Sequence, residues 1–132
     1  MMLFNTQLRQ SVAAHLTDVF GVAVNHVFDS WTMIDADEDT PAVMVYLDDG
    51  DLATEYMDQA ERYDGVLTVS IYLGRSTTDA DLDALGEQVK NAMPIGFRIV
   101  NVARFYRTSF SYERSENGAY RALHLNHHYK SE

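Results

Sequence analysis

His124, His127 and His128, close together near the end of the chain, are the side chains best placed to do chemistry. At spacings of three and four residues they would share one face of a helix and could grip a metal ion through neutral ring nitrogens. The segment from Ala119 to Tyr129, however, alternates apolar and polar residues, which is the period of a strand. On a strand His124 and His128 point one way and His127 the other, so the ligand set is broken. The plainer reading is of exposed or interface histidines near a chain end. A small metal-dependent enzyme using the region from His124 to His128 stands as the rival from a different functional class.

Carboxylates are the second candidate. Asp79-Ala-Asp-Leu-Asp83 opens like a calcium loop, but its sixth position is Ala84 instead of glycine and its twelfth is Lys90 instead of glutamate. Asp35-Ala-Asp-Glu-Asp39 fails the same test, with Thr40 and Tyr46 at those positions. With 20 acidic residues among 132, neighbouring carboxylates arise by chance and do not mark an acid–base pair. No nucleophile elbow, phosphate-cradling glycine loop or dinucleotide fingerprint is present, and the seven glycines are scattered. The absence of cysteine excludes disulfides, thiolate zinc sites, thiol catalysis and iron–sulfur ligation. The expectation is a non-catalytic protein with no resident cofactor.

The elements that would position these residues follow from periodicity. Leu8, Val12, Leu16, Val19 and Phe20 form one helical stripe, with Asn5 or Thr6 to cap it and Gly21 to end it, which predicts a helix from about 5 to 20. Val22 to Ile34 reads as irregular extended chain with room for a short strand. Ala42 to Leu47 is a continuous apolar run, the pattern of a central strand buried on both faces. Asp48-Asp-Gly-Asp51 should break it and begin an acidic loop reaching Asp64. Val66 to Leu73 alternates as a half-buried strand.

Thr78-Asp-Ala-Asp81 has capping-box spacing, and Leu82, Leu85 and Val89 continue it as an amphipathic helix ended by Pro94. Gly86 inside that helix costs about 1 kcal/mol relative to alanine, which implies a close neighbour. Phe97 to Val102 is apolar but ambiguous. Phe105 to Glu113 and Ala119 to Tyr129 read as a hairpin joined at Asn117-Gly118. The expected fold is α+β, a two-layer α/β sandwich of order α-β-β-α-β-β, with a mainly antiparallel sheet and both helices on one face. Residues 1–132 are expected to form a single domain. No apolar run approaches the ~20 residues of a spanning helix, so no membrane partner is expected.

Charge is unevenly distributed. Residues 1 to 89 hold 3 basic and 17 acidic side chains, a net −14, while residues 90 to 132 hold 7 basic and 3 acidic, a net +4. Acidic loops that keep the protein soluble would explain this. A molecule with two oppositely charged regions can also stack head to tail with its own copies.

Thr40-Pro-Ala-Val-Met-Val-Tyr-Leu47, the acidic stretch to Asp64, the strand Leu67 to Leu73, Asp79-Ala-Asp-Leu-Asp-Ala-Leu85 and the closing hairpin from Phe110 through Tyr129 together resemble the phage lambda-like minor tail protein U family, the tail terminators. The resemblance covers residues 40 to 130 and is a whole-domain pattern. It implies a hexameric ring on the finished tail tube that stops polymerisation and offers the head a joining surface. The implied partners are the protein's own copies, the major tail tube protein and a head–tail joining or completion protein, with DNA passing through the pore unbound. It implies a place in the virion tail, and in the host cytoplasm during assembly, with magnesium or a similar divalent cation promoting oligomerisation. The runner-up of the same class is a neck or head-completion ring protein. Ring interfaces are expected between Asp48, Asp49, Asp51, Glu55, Asp58 and Glu61 of one copy and Arg98, Arg104 and Arg107 of the next.

Overall fold

The structure, a computed structural model, describes residues 3–54 and 61–132. In chain order it contains helix α1 (Leu3–Phe20), a 3-10 turn (Gly21–Ala23), strands β1 (His26–Phe28), β2 (Ala42–Thr54) and β3 (Glu61–Leu73), helix α2 (Asp79–Ala92), and strands β4 (Phe97–Ile99), β5 (Ala103–Arg114) and β6 (Arg121–Ser131). The six strands form one sheet of order β1-β2-β3-β6-β5-β4. All pairs are antiparallel except β1 with β2.

The fold is mixed α+β, but the expected α-β-β-α-β-β order is corrected by two three-residue strands, one ahead of each long hairpin. β1 falls in the stretch that left room for a short strand and β4 in the ambiguous segment from Phe97 to Val102, and three residues are too few to display a period. The strand read as central, β2, is next to the edge, and β3 and β6 hold the middle.

α1 forms where the stripe demands it. Leu8, Val12, Ala13, Leu16 and Phe20 are buried, each large side chain stabilising by roughly 2 kcal/mol. The helix ends at Gly21, whose φ of +55° is costly for any residue with a Cβ. Its buried side chains share one core with Val43, Val45, Leu67, Val69, Ile71, Leu82, Val89, Phe105 and Leu125. The His15 Nε2 atom lies 2.9 Å from the Ala92 carbonyl oxygen at the end of α2, and the His15 ring stacks on Phe97.

α2 starts with both halves of its capping box formed. The Thr78 hydroxyl accepts from the Asp81 amide, and the Asp81 carboxylate accepts from the Thr78 amide. Gly86 has the close neighbour its cost implied, because a Cβ there would stand 2.7 Å from Leu123 Cδ2.

The acidic segment departs most from expectation. β2 does not stop at Leu47; it runs through Thr54 and pairs with β3 back to Glu61, so much of the expected loop is hairpin. A bulge after Leu47 absorbs the extra residue, and Gly50 sits opposite Gly65 so closely that a Cβ on Gly50 would be 2.8 Å from the Asp64 carbonyl oxygen. Glycine and aspartate that read as breakers are there bulge residues. A matching bulge interrupts β5 after Arg107.

The expectation of a two-layer sandwich with both helices on one face is likewise not matched as stated. Ala42, Met44 and Ser70 are buried, yet they point away from the helical core. A strap formed from residues 29–41 runs over this face, where its Trp31, Thr32, Met33, Ile34, Ala36 and Thr40 line a recess with the sheet side chains Met44, Tyr46, Tyr72, Tyr120 and His124. Asp35 shapes the strap by accepting hydrogen bonds from the Asp37 and Glu38 amides. The strap also needs Gly74, since a Cβ there would stand 2.5 Å from the Ala36 carbonyl oxygen.

Two substitutions test these contacts by chemical denaturation. Thr78→Ala is expected to destabilise by about 1 kcal/mol with an unchanged denaturant slope. Gly74→Ala is expected to cost about 1–3 kcal/mol, because its obstruction is backbone that cannot turn aside.

Candidate functional site

The outer face of the sheet, under and beside the strap, gathers the polar chemistry of the molecule. Ser70 Oγ lies 2.6 Å from His124 Nδ1 and 3.1 Å from the Tyr46 hydroxyl. The His124 Nε2 atom lies 2.9 Å from Glu113 Oε1, and the Tyr120 hydroxyl donates to Glu113 Oε2 at 2.5 Å. Strand register creates the chain, because Ser70 faces His124 across β3 and β6 while His124 faces Ser111 across β6 and β5. Hydrogen bonds from Tyr120 first, then from His124, hold the Glu113 carboxyl below its usual range. Burial, then Tyr46 and Glu113, pushes Tyr72 up to about 12.

Serine, histidine and carboxylate in sequence is the order of a hydrolytic triad. Ser70 is nevertheless fully buried in mid-strand and does not border the recess of about 400 Å³ beside it. Its neighbours β2 and β6 pair with it on both sides, so the local amides serve the sheet ladder and not an oxyanion. The geometry is that of a polar strut that satisfies buried hydroxyls under the strap. The sequence offers no hint of it, because Ser70, Glu113 and His124 are brought together only by long-range pairing.

The histidines occupy strand positions as their alternation implied. His128 Nε2 contacts Asp64 Oδ1 at 2.8 Å on the outer face, and His124 is held by Ser70 and Glu113. His127 lies on the opposite face, fully buried, with no hydrogen-bond partner for either ring nitrogen among the described residues. Burial, then the Arg107 guanidinium, pushes its imidazole down to about 4, against weaker opposing contributions from the Leu125 and Leu67 backbone. Among the described residues no group of three histidine or carboxylate side chains converges as a metal site.

The charged residues singled out for ring contacts fall on both sides of the sheet. Register places Arg98, Arg104, Lys130, Asp64 and Asp51 in one row across β4, β5, β6, β3 and β2. Residues facing each other across antiparallel strands share a face, so this row runs from basic to acidic across the outer surface. Arg98 is paired with Glu132, and Arg104 is exposed without an ion pair among the described residues. Arg107 instead donates to the Lys90 and Met93 carbonyl oxygens at 3.2 and 3.3 Å, closing the C-terminus of α2. Asp48 is exposed beside the bulge, while Asp49, Asp51 and Glu61 are placed by backbone register in the hairpin. Glu55 and Asp58 lie outside the described residues.

The outer face thus carries a signed charge row and a polar network beside a recess of about 400 Å³. Comparison with known families settles its kinship, since the family described as phage minor tail protein U matches residues 3–129. The chain belongs to the phage minor tail protein U family. No curated protein matches this tail protein by sequence. Among solved structures it is similar to a chain of the virion of a native gene transfer agent particle, with a TM-score of 0.57 and 12% identity over 96% of this chain and 90% of that one. That likeness is one of fold.

His127 gives this tail protein a defined acid response. Its imidazole is depressed in the folded state, so the unfolded chain takes up a proton first as pH falls through about 6.5. The stabilisation from keeping the ring neutral is full above that pH and is lost toward about 4, a change of roughly 3 kcal/mol. His127→Leu is expected to flatten the stability profile between those limits and to raise stability below pH 6, measured by urea unfolding across pH.

Proposed function

We propose that this tail protein is a non-catalytic tail terminator, a closed ring that caps the tail tube, stops its polymerisation and presents the surface the head joins. The observation that carries the reading is the signed row on the outer face, basic at β4 and β5 and acidic at β3 and β2. A ring needs a heterologous interface in which one side of each copy meets the other side of the next, and opposite charge on opposite sides favours that contact over self-pairing. Family membership over nearly the whole chain supports a virion role.

In the ring, the acidic segment that holds Asp48, Asp49, Asp51, Glu55, Asp58 and Glu61 in the sequence faces Arg98 and Arg104 of the neighbour, Arg107 being engaged at the end of α2. Six copies close the ring, with the tail tube protein on one side and a head–tail joining or completion protein on the other. A net charge of −10 leaves no general attraction for the phosphate backbone, so DNA slides through without specific binding. Magnesium or a similar cation promotes closure by screening carboxylates that repel one another around the annulus. The protein resides in the virion tail after assembly in the host cytoplasm.

Sedimentation over a range of protein and magnesium concentrations is expected to show monomer passing to one closed oligomer. Reversal of both Arg98 and Arg104 to glutamate should weaken that transition at least tenfold in concentration, about 1.4 kcal/mol. Arg107 is left intact because it closes α2. Closure unaffected by the double reversal would remove the charge argument. The oligomer should arrest the growth of tail tubes; binding to head connectors alone would replace this reading with a head-completion ring.

A further inference from the structure

The sheet has stepped edges. On one side β1 covers only Ala42 to Met44 of β2, and on the other β4 covers only Ala103 to Phe105 of β5. Among the described residues, β2 from Val45 to Thr54 and β5 from Tyr106 to Arg114 therefore have no strand along their outer sides. Exposed edges of this length invite strand addition, and soluble proteins normally keep them short or covered.

The two steps are complementary. Following register across the sheet, β1 stands level with Ser111, Tyr112 and Glu113 of β5, and β4 stands level with Gly50, Asp51 and Leu52 of β2. Each short strand thus lies at the height of the notch on the opposite side. Rotation about an axis along the strands, as in a ring, preserves strand direction and the facing of the sheet. The β1 step of one copy then enters the notch beside β5 of the next, and the neighbour's β4 enters the notch beside β2.

Charge and apolar surface agree with this fit. The join sets the Asp51 position of one copy level with the Arg98 position of the next, so that the acidic end of the outer row meets the basic end. It sets His26 beside Glu113. On the helix side, β5 borders a groove of about 420 Å³ floored by Leu123 and Leu125, and Phe110 there is 65% exposed. Val27 of β1 lies level with Tyr112 on that same face.

We propose that copies of this chain join edge to edge, β4 against the neighbour's β2 and β1 against the neighbour's β5, so that one sheet runs continuously around the assembly. The proposal rests on the ring reading above and names the contact that closes it.

The chain has no cysteine, so introduced pairs report cleanly. Two double variants, Asp51→Cys with Arg98→Cys and Phe28→Cys with Ser111→Cys, place thiols at facing positions, close enough for a disulfide. Within one copy the paired sites are four strand spacings apart, roughly 19 Å, too far to bridge. Mild oxidation under conditions of ring closure is expected to convert each double variant into a ladder of covalent multimers, with each single variant remaining monomeric on a denaturing gel. A closed oligomer by mass with no ladder from either double variant would overturn the edge join and leave the ring reading standing. Dimers from a single variant would overturn the head-to-tail arrangement. Absence of any oligomer at every protein and magnesium concentration would overturn both.

Discussion

The pairing of β3 with β6 is the constraint on which the rest of the molecule depends. Ten facing pairs, from Asp64 with Lys130 to Leu73 with Arg121, join the two halves of the chain. Because side chains alternate, a slip of β6 by one residue against β3 would turn Leu123 and Leu125 out of the helical core and His124 and His128 into it, while Leu67, Val69 and Ile71 stayed inside. The same register sets Ser70 against His124, aligns the charge row, and fixes the height of each short edge strand. Core, polar strut and edge geometry are three results of one alignment.

Local chemistry was legible in the sequence wherever the signal lay within a few residues. The α1 stripe apart from Val19, which is exposed, the Thr78 and Asp81 capping box, the crowding at Gly86 and the strand positions of the histidines follow from spacing, and the structure has each of them. What could not be read depends on tertiary context. β2 beyond Leu47 shows no apolar period because it projects as a bulged hairpin among polar residues. The strap has no period either, since it is held by backbone fit at Gly74 and turn bonds around Asp35. Arg107 looked like one of three surface cations, yet the carbonyl ends of α2 lie within its reach. The link from Ser70 through His124 to Glu113 exists only once three strands are in register.

Charge does two kinds of work. Near α2 it is spent internally: Asp79 receives Arg114 and Arg121 from both arms of the β5–β6 hairpin, and the Tyr112 hydroxyl donates to Asp83. Hydrogen bonds from the two arginines hold the Asp79 carboxyl below its usual range, and the group also favours the helix N-terminus. Across the outer row like charges occupy facing positions, Arg98 by Arg104 by Lys130 and Asp64 by Asp51, while Glu132 pairs with Arg98 and His128 with Asp64. Like charges in facing positions oppose sheet formation by a few tenths to about 1 kcal/mol each.

The separation of β3 from β6 along the chain also governs how fast this structure can form. Each long hairpin closes locally, but α2, β4 and β5 must all be accommodated before β6 can reach β3. Contacts so distant in sequence charge their loop-closure entropy before returning any burial, which places the chain among slow folders rather than microsecond ones. During that interval the unfinished β3 edge and apolar Leu67, Val69 and Ile71 face solvent, so crowding of nascent chains would favour clumping over correct docking. The tempo at which this central seam closes thus bears on folding yield alongside the final strength of the fold.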